Sequence, residues 1–141
     1  MDCMANTLAI SIENQIAELA RLSKALGLFL DSHDLSPKAA YAVDLTIEEL
    51  LCNVINHGFE DDLPHTIDVT VEVEPQAVVL RIEDEGREFN PLEAPEPDVK
   101  QPIEEREIGG LGIHLVRDMA YSLRYDRKGE RNRLEVRIGT D

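Results

Sequence analysis

From Thr66 to Glu74 every second residue is apolar. Ile67, Val69, Val71 and Val73 face one way and Asp68, Thr70, Glu72 and Glu74 the other, the alternation of a half-buried strand. Pro75-Gln76 turns the chain into a second strand whose apolar row, Val78, Leu80 and Ile82, ends in Asp84. A shorter alternation, Leu8, Ile10 and Ile12, predicts an opening strand over Thr7 to Ile12. Helical spacing follows at Ile16, Leu19, Ala20, Ser23, Leu26 and Leu30. Ser36-Pro37 reads as an N-cap with proline in the first turn, opening a second helix that Gly58 ends. Its apolar side holds Ala40, Val43, Ile47, Leu50, Leu51 and Val54.

Between Glu85 and Glu107 periodicity vanishes, and Pro91, Pro95, Pro97 and Pro102 accompany an excess of acids. Loops of this length inside compact domains are commonly lids or binding segments, so a lid is expected over about 87–110. A third helix is predicted from Leu111 to Tyr121. Two closing strands, about Ser122 to Lys128 and Arg133 to Gly139, should meet in a hairpin around Gly129-Glu130-Arg131-Asn132. This order predicts an α/β (α+β) two-layer sandwich: one mainly antiparallel sheet with helices on one face, the other face solvated or a dimer interface. At 141 residues the expectation is a single domain over 1–141, burying roughly two thirds of its unfolded surface.

Composition narrows the function. With 29 acidic against 14 basic residues and a net charge of −15, the surface should repel nucleic acid and anionic membranes. No apolar stretch suits a membrane span and Met1-Asp2-Cys3-Met4 lacks a basic leader, so a cytoplasmic protein is expected. Cys3 and Cys52 form no CxxC pair and are expected to be free thiols. His33, His65 and His114 lack the spacing of a zinc site.

Three clusters carry candidate chemistry. Glu49 and Asn53 lie one turn apart on one helical face, and His57 extends the stripe. A carboxylate and an amide beside a core-facing surface need partners, which Mg²⁺ and a substrate hydroxyl would supply; the alternative is a solvated stripe. Asp84 falls on the core side of its strand, placed to accept from a purine amino group or to bond its own backbone before Gly86. Gly86 permits close backbone approach or a positive φ. Gly109-Gly110-Leu111-Gly112 opens the third helix, where free amides and the helix dipole suit phosphate; a hinge is the plainer reading.

Taken in order, these clusters resemble the GHKL ATPase superfamily, and within it the anti-sigma-factor serine/threonine kinase family. The segment from Glu48 to Gly58 resembles its N box, Asp84 to Pro91 its first glycine box, and Gly109 to Ile113 its second. The resemblance implies a Bergerat ATP-binding fold that uses ATP and Mg²⁺. In it Glu49 would be the general base, Asn53 the Mg²⁺ ligand and Asp84 the adenine acceptor. Gly86 would pack near adenine, and Gly109, Gly110 and Gly112 would close over phosphates, with Arg106 reaching the terminal phosphate or a partner. The implied partners are a sigma factor and an anti-anti-sigma factor, with a homodimer. The alternatives are a catalytically weak ATP-dependent binding switch and, less favoured, the ATP domain of a histidine kinase. The family often supplies a hairpin threonine to the nucleotide, whereas Arg131-Asn132-Arg133 stands here.

Overall fold

The computed structural model describes residues 6–90, 93 and 116–140. Among the described residues the elements follow in the order β1 (Thr7–Glu13), α1 (Glu18–Asp31), α2 (Pro37–His57), β2 (Thr66–Val73), β3 (Ala77–Asp84), β4 (Ala120–Lys128) and β5 (Arg131–Gly139). The strands make one sheet in the order β1-β2-β3-β5-β4, with every neighbouring pair antiparallel. The expected two-layer α/β architecture is present.

The alternation of β2 and β3 sets the core face. Ile67, Val69 and Val71 join Val78, Leu80 and Ile82, with Leu134, Val136 and Ile138 of β5 completing the row. The helices cover this face with Leu22, Leu26 and Leu30 of α1 and Val43, Ile47, Leu50, Leu51 and Val54 of α2. The buried stripe of α1 runs at four-residue steps through Leu22, so Ile16, Ala20 and Ser23 are exposed and are not packing positions. The first turn of α2 is capped as expected: the Ala39 N–H donates to Ser36 Oγ at 3.0 Å.

The opposite sheet face is charged. Arg81 bonds Glu72 at 3.2 Å and Glu135 at 3.0 Å, while Arg131 bonds Asp68 at 2.7 Å and Glu83 at 3.2 Å. Asp68 and Glu83 are cross-strand partners, and Arg131 bridges these like charges.

Two boundaries differ from the pattern-based expectation. Residues 116–119 are helical, but Ala120 and Tyr121 belong to β4, so the third helix does not reach Tyr121. Ala120 pairs with Ile138 and Ser122 with Arg137, which leaves Tyr121 as the extra residue of a bulge. The closing hairpin also turns on two residues rather than four, because Lys128 pairs with Arg131. Gly129 takes φ +63° while Glu130 keeps a negative φ, the combination that a type II′ turn uses. Arg131 and Asn132 are therefore strand residues, and Asn132 comes to lie opposite Asp84.

Candidate functional site

The second half of α2 carries a polar stripe on an otherwise apolar surface. Thr46, Glu49 and Asn53 follow at helical spacing, and His57 is exposed one turn further on. Asn53 is 3% exposed, and its Nδ2 has no hydrogen-bond partner among the described residues. The Thr46 hydroxyl, buried completely, is equally unpartnered. Orphaned polar atoms of this kind are rare in folded proteins and each costs about 1–3 kcal/mol. Glu49 is half-buried; burial raises its pKa above the ordinary 4.5, and the neighbouring Glu48 carboxylate adds to the rise. Burial also raises the pKa of the Cys52 thiol, and the Glu49 and Glu48 carboxylates add to the rise, which keeps it protonated.

Asp84 ends β3 at the end of α2. Its Oδ1 accepts the Gly86 N–H at 2.8 Å and an Asn132 Nδ2 hydrogen at 3.0 Å. The turn-aspartate geometry is thus present, and the carboxylate stays on the core side, 4% exposed. The chain after Asp84 is tied to the helix terminus: the Arg87 N–H donates to Gly58 O at 2.9 Å, and Arg87 Nε donates to His57 O at 2.6 Å. Gly86 keeps a negative φ, so its lack of a side chain serves close approach instead. A Cβ there would lie 2.3 Å from Gly58 O and 3.0 Å from both Asp84 Oδ1 and Phe59 Cε1. Gly58, the C-cap of α2, is similarly confined, since a Cβ would meet Val54 O at 2.5 Å. Rings close the edge: His57 and Phe89 have centroids 5.9 Å apart, and the Arg87 guanidinium lies 5.2 Å from the Phe89 centroid.

Two of the three sequence clusters are therefore joined, with the end of α2 locked to the Asp84-Glu85-Gly86-Arg87 turn. Arg106, Gly109, Gly110, Leu111 and Gly112 lie outside the described residues, as does most of the expected lid. A cavity of about 260 Å³ opens between α1 and α2, walled by Leu19, Leu22, Leu26, Asp44, Ile47 and Glu48; none of Glu49, Asn53 and Asp84 lines it. Sequence reasoning missed Thr46 and the part played by Asn132. The apolar context of Thr46 was a usable signal, whereas the placement of Asn132 depends on the hairpin register.

The donor set suits a nucleotide ligand. As it stands, the open Nδ2 of Asn53 can donate to a phosphate oxygen; turned over, the same amide would present its oxygen to a cation. Asp84 offers an acceptor next to a turn that has room only for glycine.

Comparison with known proteins places the chain in a family. A family model described as "Histidine kinase-like ATPase domain" matches residues 12–138. The serine/threonine-protein kinase BtrW of Bordetella bronchiseptica is 28% identical over 101 residues, covering 72% of this chain and 71% of that protein. The solved structure of the Acinetobacter baumannii histidine kinase AdeS aligns at a TM-score of 0.49 and 19% identity, covering 97% of this chain and 68% of that one. No helix among the described residues is long and apolar enough to cross a membrane. With nine-tenths of its length matched by the family model, the chain belongs to the histidine kinase-like ATPase domain family.

Proposed function

We propose that this ATPase-family chain is a serine/threonine protein kinase of the anti-sigma-factor type. In this reading it transfers the γ-phosphoryl group of ATP to a serine or threonine of an anti-anti-sigma factor and so frees or captures a sigma factor. The observation that carries the reading is the polar stripe of α2: a carboxylate with a raised pKa, Glu49, one turn from the buried, unsatisfied amide of Asn53. A protein that only bound nucleotide would have little use for a partly desolvated carboxylate there. The 28% identity to a protein named as a serine/threonine kinase supports the same choice.

Each residue then has a task. Asn53 would hold Mg²⁺ or a phosphate oxygen, and Asp84 would accept the adenine amino hydrogen. Gly86 would let the base approach the turn. Gly109, Gly110, Leu111 and Gly112 would meet the phosphates through backbone amides, with Arg106 beside them. Bound Mg²⁺ supplies charge neutralisation across the phosphates. Glu49 would take the proton of the substrate hydroxyl as the new oxygen–phosphorus bond forms and the bond to departing ADP breaks. His57, exposed at the end of the stripe, would stand at the rim of the bound nucleotide.

Phosphotransfer from Mg-ATP to a candidate anti-anti-sigma protein, with wild type and Glu49→Ala side by side, tests the proposal. Loss of transfer with ATP affinity retained is the expected result. Transfer undiminished in Glu49→Ala would remove the assigned base, and ATP binding without transfer by wild type would favour a nucleotide-dependent binding switch.

A further inference from the structure

Asn132 stands directly across from Asp84 in the β3–β5 register, and both side chains are buried on the core face. Its Nδ2 donates to Asp84 Oδ1 at 3.0 Å and to Arg87 O at 2.8 Å. Its Oδ1 accepts from the Tyr125 hydroxyl and from Arg127 Nη1, the latter at 3.0 Å. A carboxylate and a carbonyl can only accept here, and a guanidinium can only donate, so the partners themselves fix which way the amide faces. All four hydrogen-bonding positions of the amide are filled by protein. Arg127 Nη1 also donates to Gly86 O at 3.0 Å, so the same network grips the glycine turn. Fully satisfied buried networks of this type impose one arrangement on their members.

We infer that Asn132 is a positioning residue for nucleobase selection: it orients the Asp84 carboxylate toward a purine amino group and does not itself touch the nucleotide. The inference rests on the assignment of Asp84 as the base acceptor. An amide with no open donor or acceptor has nothing to offer a ligand. Selection for the 6-amino group therefore falls on Asp84, whose Oδ1 is held from two directions by Gly86 and Asn132.

Inosine triphosphate is the discriminating probe, because it carries a carbonyl oxygen where ATP carries the amino group and keeps the same phosphates. Affinities for Mg-ATP and Mg-inosine triphosphate would be measured by calorimetry for wild type, Asn132→Ala, Asn132→Thr, Asp84→Asn and the Asn132→Ala/Asp84→Asn double variant, with thermal unfolding of each. Wild type should prefer ATP, and Asn132→Ala should shrink that preference by about tenfold, chiefly through ATP. Asn132→Thr, with one hydroxyl donor facing Asp84, should restore part of it. In the Asp84→Asn background, Asn132→Ala should change the ratio no further. A folded Asn132→Ala protein that weakens both nucleotides alike, with the ratio unchanged, would overturn the inference and leave the ATP reading intact. Folded wild type that binds neither nucleotide would overturn both.

Discussion

Gly86→Ala puts the proposed geometry under direct load. The new Cβ would sit 2.3 Å from Gly58 O, where ordinary contact begins at 3.4 Å. Gly58 O is backbone and the backbone also fixes where the Cβ points, so no rotamer change relieves the overlap, and the turn must retreat by about 1 Å. That movement strains the 2.9 Å bond from the Arg87 N–H to Gly58 O and pulls the Gly86 N–H away from Asp84. Overpacking of about 1–3 kcal/mol together with a weakened buried hydrogen bond of about 1 kcal/mol gives a loss of about 2–4 kcal/mol. For a chain of this size that lowers Tm by roughly 10 °C. Urea and thermal unfolding of Gly86→Ala would be compared with Gly139→Ala, where nothing lies within 4 Å of the added methyl group. A Gly86→Ala protein within about 0.5 kcal/mol of wild type, the range of ordinary surface changes, would refute the close-packed turn.

Other substitutions separate backbone, burial and charge. Gly27 lies in α1 with open space around a Cβ, so Gly27→Ala should stabilise by about 0.5–1 kcal/mol in urea titrations, and a loss would contradict the helical assignment. Thr46→Val removes an orphaned buried hydroxyl and should raise stability by about 1 kcal/mol; a comparable loss would mean that the hydroxyl has a partner. Because the pKa of Glu49 is raised in the folded state, the native protein binds its proton more tightly than the unfolded chain does. Native stability is therefore lost as pH rises from the ordinary 4.5 through that raised value, and Glu49→Gln should be the more stable protein above this window only. Denaturation midpoints of the two proteins across pH 4 to 8 would show it; a pH-independent difference would count against the burial of Glu49.

Much of this architecture is written in local pattern. Strict alternation in β2 and β3 announces both strands and puts Asp84 on the core side, because side-chain direction in a strand follows parity alone. Ser36-Pro37 marks the start of α2 because the hydroxyl cap and the proline act within one turn. What pattern could not carry was set by pairing. Tyr121 resembles the last residue of a helix until β5 draws Ala120 and Ser122 into the sheet and leaves Tyr121 in a bulge. Asn132 resembles a turn residue until Gly129 closes the hairpin in two residues and brings the amide opposite Asp84. In the site, the spacing of Glu49 and Asn53 shows that they share a helical face. The contact between the α2 terminus and the Gly86 turn depends on two segments 28 residues apart in the chain, Gly58 and Gly86, meeting without side chains.

A calorimetric titration of the folded protein with ATP, with and without Mg²⁺, shows whether α2 and the Asp84 turn form the proposed magnesium–nucleotide pocket. Wild type should bind ATP more tightly when Mg²⁺ is present. Asn53→Ala should abolish most of that dependence, and Asp84→Asn should weaken binding in either condition by about tenfold or more, the loss of a hydrogen bond to a charged acceptor. Folded wild type that fails to bind ATP, or variants that bind it as tightly and with the same Mg²⁺ dependence as wild type, would mean that these residues do not form a nucleotide pocket.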